Sequence, residues 1–142
     1  MTVVIDASVA LKWYVTEADS AAARVIFANE DDVIAPELVV GEIANASWRL
    51  FRRGEISRAQ HVRIAQEIAD MFSRLLPLRQ LAPRAAASAH ELNHPAYDCF
   101  YPALSEAEDA PLVTADRRLL ATVAGTPFAT RTRHLSQAAE PA

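Results

Sequence analysis

Short apolar segments of strand character alternate along the chain with longer segments of helical character. The predicted strands are TVVID, DVIAP and APLVTA, with TPFATR as a fourth candidate. Parallel strands need long crossover connections, and the intervening helical segments can supply them. The alternation therefore predicts an α/β domain with three layers, in which helices flank a central, mostly parallel sheet of about four to five short strands.

Helical segments fill the intervals between the predicted strands. The clearest is SRAQHVRIAQEIADMFSRLL, in which apolar side chains recur three and four residues apart. PRAAASAHELN is also predicted to be helical, with Pro83 in its first turn, whereas the preceding PLRQLA is predicted to be extended. The other predicted helices are ASVALKWYV, EADSAAARVIFANE, ELVVGEIANASWRLFRRG, HPAYDCFYPALSEAED and DRRLLATVA.

Length and composition bound the organisation of the chain. Its 142 residues, 51% of them hydrophobic, suit one domain, which we place at residues 1–135 with a frayed C-terminal tail at 136–142. The single cysteine, Cys99, excludes an intrachain disulfide and is expected to be a small buried side chain. The chain has no signal peptide pattern and no apolar run of about 20 residues, so we expect a cytoplasmic protein without a membrane partner.

The charge balance argues against a protein that coats nucleic acid without specificity. Such proteins are usually basic, and this chain has a formal net charge of −4. Thirteen of its fourteen basic residues are nevertheless arginines, whose guanidinium groups suit phosphate. Several are clustered, which also happens on ordinary solvated helix faces. The clusters are Arg49 with Arg52 and Arg53, Arg117 with Arg118, and Arg131 with Arg133.

Four acidic residues stand in apolar surroundings. Asp6 directly follows the strand VVI, and Asp116 follows the strand LVTA. Glu42 is the only charged residue in LVVGEIANASW, and Asp98 is the only one in AYDCFYPAL. Each has a purely structural interpretation, since Asp6 and Asp116 can cap the helices that follow and Asp98 can lie in a first turn. Glu42 is in the middle of a helix and cannot act as a cap.

Taken together, the four acids suggest one site at the carboxyl edge of the sheet, where ligands of parallel sheets bind. Converging carboxylates repel one another, and a hard divalent cation such as Mg²⁺ or Mn²⁺ removes that repulsion. Ser8 and Thr114 each lie two residues from a key acid, so their hydroxyl groups can point into the same pocket. Both hydroxyl groups can equally serve as local turn or helix hydrogen-bond partners.

The segments VVIDASVALKW, PELVVGEIANASWR, AYDCFYPAL and LVTADRRLL resemble the four acidic blocks of a PIN domain, in the expected order. More narrowly, they resemble the VapC-type toxins of bacterial toxin–antitoxin pairs. The resemblance covers the chain from Asp6 to about Arg118, and it depends on the four blocks together because none is specific alone.

The resemblance implies a Mg²⁺-dependent endoribonuclease in which Mn²⁺ can replace Mg²⁺. The residues at the acidic metal-binding positions are Asp6, Glu42, Asp98 and Asp116, and those at the hydroxyl positions are Ser8 and Thr114. A metal lowers the pKa of a bound water, which attacks the RNA phosphodiester and leaves 5′-phosphate and 3′-hydroxyl ends. The family also implies a homodimer and a cognate antitoxin protein. The alternative is a catalytically silent PIN fold that binds RNA or its antitoxin.

One residue departs from the family pattern. Pro102 lies four residues after Asp98 and cannot donate a helical N–H bond to the Asp98 carbonyl. We therefore expect a bend in this helix that slightly changes the direction of the Asp98 side chain.

Other interpretations of the acids and histidines fit less well. A phosphoacceptor receiver domain needs paired acids after its first strand and a late lysine, but the only lysine is Lys12. A haloacid-dehalogenase phosphatase needs an aspartate where Ser8 stands. His90 and His94 have the spacing of a zinc-binding pair, but the sequence nearby offers no further ligands.

Overall fold

The structure is a computed structural model that describes residues 1–138. Five strands form one sheet in the order β3-β2-β1-β4-β5, and every neighbouring pair is parallel. The strands are β1 (Thr2–Ile5), β2 (Asp32–Pro36), β3 (Arg74–Leu76), β4 (Leu112–Thr114) and β5 (Thr132–His134). The predicted α/β class and parallel sheet are confirmed, and β1 lies at the centre of the sheet.

Eight α-helices connect and cover these strands within the described part of the chain. They are α1 (Ala7–Ala10), α2 (Ser20–Asn29), α3 (Leu38–Arg52), α4 (Arg58–Glu67), α5 (Leu78–Leu92), α6 (Ala96–Glu108), α7 (Arg117–Val123) and α8 (Leu135–Ala138). No helix among residues 1–138 is long and apolar enough to cross a membrane.

Successive strand residues point to opposite faces of the sheet, and this alternation builds the three predicted layers. Val3 and Ile5 of β1 pack into a core with α1 to α4, whereas Val4 packs into a second core with α5 to α7. Strands β2 and β4 alternate in the same way. Because both faces are covered, the central strands are apolar throughout, which explains why the sequence showed continuous apolar runs.

Helix ends follow local signals in the sequence. Ser57 caps α4 in a capping box, in which its hydroxyl accepts the Gln60 N–H and the Gln60 side chain accepts the Ser57 N–H. Gly54 follows the C-terminus of α3 with a φ of +77°, a conformation that glycine adopts without steric cost.

Three predicted segments are wrong. The helix predicted from Ser57 to Leu76 ends early, because the Ser73 backbone N–H donates to the Val33 carbonyl at 2.8 Å and the chain then joins the sheet as β3. PLRQLA is not extended, since α5 begins at Leu78 and Pro83 lies inside it. TPFATR is not a strand, because Pro127–Thr130 form a 3₁₀ turn and β5 begins two residues later.

Three further predictions concern local features. Cys99 is buried, as expected. Helix α6 continues through Pro102, and the bend there stays a prediction. The start of the predicted frayed tail at residue 136 falls inside α8, and residues 139–142 of that tail lie outside the described residues.

Candidate active site

The four predicted acids line one cleft of about 450 Å³ at the carboxyl edge of the sheet. Strands β1 and β4 are neighbours, so the residues that follow them, Asp6 and Asp116, are brought together. Helix α3 follows β2 and contributes Glu42, and helix α6 precedes β4 and contributes Asp98. The convergence predicted from sequence is therefore present in the fold.

Asp6 is the most deeply held of the four acids, being only 5% exposed. Its Oδ1 accepts the Ser8 hydroxyl at 2.5 Å and the Val9 N–H at 3.2 Å, so it also caps α1. Its Oδ2 accepts the Thr114 hydroxyl. Asp6 thus caps α1, as the structural interpretation of the sequence predicts, and also lines the cleft.

Ser8 and Thr114 connect Asp6 to the loop that follows β4. The Ser8 hydroxyl oxygen accepts the Ala115 N–H, and the Thr114 hydroxyl oxygen accepts the Asp116 N–H, both at 2.9 Å. Ser8 lines the cleft, whereas Thr114 lies fully buried behind Asp6. Both hydroxyl groups therefore position acids.

Asp116 caps α7, as the structural interpretation of the sequence anticipated. Its Oδ1 accepts the backbone N–H groups of Arg118 at 2.9 Å and Leu119 at 3.4 Å. No hydrogen bond reaches its Oδ2 from residues 1–138, and the residue lines the cleft.

Glu42 has a partner that sequence patterns did not reveal. The hydroxyl of Tyr101, a residue only 4% exposed, donates to Glu42 Oε1 at 2.5 Å. Tyr101 lies 59 positions away along the chain, on α6, so no local signal could have paired the two.

Asp98 lies in the first turn of α6, and its side chain is 46% exposed. Its Oδ2 is 2.7 Å from His94 Nε2. His90 and His94 have the spacing of a zinc pair, but His94 contacts Asp98. Among residues 1–138, no group of three His, Cys, Asp or Glu side chains is arranged to hold a metal ion, so the zinc interpretation gains no support.

The acids influence one another electrostatically. Burial raises the pKa of Asp6 to about 6, with the Asp116 charge adding to the rise and the two hydroxyl donors opposing it. Burial also raises the pKa of Glu42, and the charges of Asp6 and Asp98 add to that rise. The pKa values of Asp6 and Glu42 are thus both raised by the charge of another acid in the cleft.

Two basic side chains line the same cleft, Lys12 and Arg49. Lys12 Nζ donates to Glu17 Oε1 at 3.1 Å and to the Ala18 carbonyl at 2.8 Å. Arg117 and Arg118, which follow Asp116 in the sequence, are exposed at the start of α7, and neither is among the residues that line the cleft.

A larger groove of about 670 Å³ lies between α3 and α4 and holds no acidic residue. It is open and largely apolar, with Trp48 and Val62 among its lining residues. The acid-lined cleft is therefore the better candidate for chemistry, although it is smaller.

Known proteins resemble this chain over nearly its whole length. A family model described as PIN domain matches residues 3–125. Ribonuclease VapC3 of Pyrobaculum aerophilum is 30% identical over 121 residues, which cover 84% of this chain and 92% of that protein.

A solved structure has the same architecture. The crystal structure of PAE2754 from Pyrobaculum aerophilum matches with a TM-score of 0.72, covering 98% of this chain and 93% of that one. Sequence identity is 22%, so this likeness shows the fold alone.

Proposed function

The chain belongs to the PIN-domain family, in its VapC type, and on that premise we propose that it is a metal-dependent endoribonuclease, the toxin of a toxin–antitoxin pair. The observation that carries the proposal is the cleft in which Asp6, Glu42, Asp98 and Asp116 converge from two strand ends and two helices. Structural caps alone do not account for this convergence, because Glu42 caps no helix.

The donor set suits a hard divalent cation, and we propose Mg²⁺, with Mn²⁺ able to substitute. One carboxylate oxygen each of Glu42, Asp98 and Asp116 has no hydrogen-bond donor among residues 1–138. An ion of this kind keeps several of its own waters and needs few protein ligands. When bound, such an ion supplies an activated water and neutralises charge on the scissile phosphate.

The roles of the protein residues follow from their contacts. Ser8 and Thr114 fix the Asp6 carboxylate, and Tyr101 fixes one oxygen of Glu42. The Asp98 side chain is 46% exposed, so it is accessible to a substrate that enters the cleft. We propose that water rather than the ribose 2′-hydroxyl attacks the phosphate, which leaves 5′-phosphate and 3′-hydroxyl ends.

Expression in cells tests the proposal. Wild type and Asp98→Asn are each induced briefly, and new 5′-phosphate RNA ends are mapped. We expect discrete new ends with wild type and none with Asp98→Asn. Asp70→Asn, which replaces an exposed acid outside the cleft, is the matched control and retains cleavage. Ends carrying 2′,3′-cyclic phosphate would contradict the water-attack mechanism.

The same experiment distinguishes the proposed endoribonuclease from the alternative function, a catalytically silent PIN fold that binds RNA or antitoxin. In that case neither wild type nor Asp98→Asn produces new ends, although both fold and bind the antitoxin encoded beside them. We also propose a homodimer and a hetero-oligomer with the antitoxin, which light scattering of the purified chain and of the complex would measure. A monomeric mass for the purified chain would contradict the homodimer.

A further inference from the structure

Arg49 occupies a distinctive position in the cleft. It follows Glu42 by seven residues on α3, which is close to two full helical turns, so both lie on the same face of the helix. Both residues line the acid cleft. Arg49 therefore stands about 10 Å along the helix from a proposed metal-binding acid.

The second cation of the cleft is already neutralised. Lys12 is 12% exposed, and Glu17 and the Ala18 carbonyl occupy its ammonium group. Arg49 is exposed, and its guanidinium group has no hydrogen-bond or ion-pair partner among residues 1–138. Within that part of the chain, Arg49 is thus the cleft cation whose hydrogen-bonding groups are available to a ligand.

An RNA strand that enters this cleft brings a polyanion toward four carboxylates. A cation at the metal site compensates the scissile phosphate, but the flanking phosphates need a positive group of their own. A guanidinium group meets that need with paired N–H donors that match phosphate oxygens. Because this reasoning rests on the proposed function, the ligand in question is single-stranded RNA.

We propose that Arg49 binds a backbone phosphate of the RNA substrate, next to the scissile one. Arg117 and Arg118 are nearer to Asp116 in sequence, but they lie outside the cleft lining. Arg49 is in the last turn of α3, where a positive charge also interacts favourably with the carbonyl end of the helix. Arg52 shares that turn but lies over the Trp48 ring at 5.7 Å and does not line the cleft, which makes it a matched control.

The test is the salt dependence of RNA binding. Fluorescence anisotropy follows a 5′-fluorescein-labelled 16-nucleotide RNA of mixed sequence from 50 to 300 mM KCl, with Ca²⁺ in place of Mg²⁺ so that the cleft carboxylates stay neutralised without cleavage. Each phosphate contact on a single strand contributes about 0.7 to the slope of log Kd against log salt concentration. We expect Arg49→Ala to lower the slope by about 0.7 and to raise Kd about fivefold at 50 mM KCl. Arg49→Lys retains the slope.

The outcomes are distinct. Arg52→Ala is expected to leave both Kd and slope as in wild type. The inference is overturned if Arg49→Ala has the wild-type slope, if Arg52→Ala shows the same loss as Arg49→Ala, or if wild type does not bind this RNA. Cleavage in cells with an unchanged Arg49→Ala slope would overturn only the Arg49 inference. An Arg49-dependent slope in a protein that produces no new ends in cells would overturn only the proposed cleavage.

Discussion

Each acid of the cleft is held through one carboxylate oxygen by a donor of the protein, and Asp6 is held through both. A carboxylate fixed in this way keeps its orientation before any ligand arrives, which is how hydrogen-bonding partners tune metal-binding groups. Tyr101 does this for Glu42 and His94 does it for Asp98.

Tyr101→Phe isolates one such donor, because it removes the hydroxyl and keeps the ring in the core. We expect Mn²⁺ affinity, measured by calorimetry, to fall about tenfold, since losing a partner of a metal ligand has effects of that size. Tyr14→Phe is the control, because the Tyr14 hydroxyl is buried without a hydrogen-bond partner in the described residues. Equal affinities for the two variants would argue against a positioning role for Tyr101.

Asp6 makes the stability of the metal-free protein depend on pH. Burial raises its pKa to about 6, above the ordinary value near 3.9. Between these values the folded chain binds a proton that the unfolded chain has released, so this contribution to stability is present at low pH and is lost as pH rises through about 6.

We therefore compare wild type with Asp6→Asn by urea unfolding in EDTA from pH 4 to pH 8. The unfolding free energy of wild type should fall relative to that of the variant by about 2 kcal/mol as pH rises from 4 to 7. Titrating groups that do not interact with Asp6 cancel in the difference. A pH-independent difference would mean that the Asp6 pKa is not raised in the folded protein.

The sequence identified the acids because each was a lone charge in an apolar segment, and a lone buried charge needs a reason. It could not identify Tyr101 as a partner, because an aromatic residue on an apolar helix face looks like ordinary core. Nor could it choose among the arginines, because lining a cleft depends on how α3 is rotated against the sheet.

At the scale of elements, proline residues stand inside two helices with different surroundings. Pro102 of α6 is buried and four residues beyond Asp98, whereas Pro83 of α5 is exposed. Pro102 lacks the N–H that would bond the Asp98 carbonyl, so the geometry of the turn that carries this acid depends on it.

Pro102→Ala restores that N–H and is expected to shift the Asp98 side chain, lowering Mn²⁺ affinity severalfold while the chain stays folded. Pro83→Ala serves as the control, because it restores an N–H in a helix that carries none of the four acids. Crystal structures of the wild type and of both variants would show whether the α6 axis bends at Pro102. A straight α6 in the wild type would refute the predicted bend.

Strand β3 shows where local patterns fail. Arg74–Leu76 continue the helical periodicity of the preceding segment and are only three residues long. Pairing with β2 decides their conformation, and that partner is about 40 residues away. The central strands were predictable because both their faces are buried, which leaves an apolar run of a kind that an edge strand lacks.

The whole molecule carries a formal net charge of −4, and five acidic residues line one cleft, namely the four predicted acids and Glu17. A cation that binds only the folded chain stabilises it by an amount that rises with the logarithm of its concentration above Kd, about 2.7 kcal/mol at one hundred times Kd. For a domain of this size that corresponds to a rise in Tm of about 5–10 °C.

Thermal unfolding with saturating Mg²⁺ should therefore give a higher Tm than unfolding in EDTA with NaCl at matched ionic strength. Asp98→Asn should reduce the rise and Asp70→Asn should retain it. An equal rise in both variants would assign the effect to general screening of charge rather than to the cleft.

The central position of β1 has a consequence for synthesis on the ribosome. Asp6 leaves the ribosome early, but the Thr114 hydroxyl that holds it is encoded 108 residues later, on the strand that must pair with β1. A nascent chain that has not reached β4 has neither that donor nor Asp116. The cleft is thus completed only when most of the polypeptide has been translated, so a stalled or truncated product lacks the full set of acids.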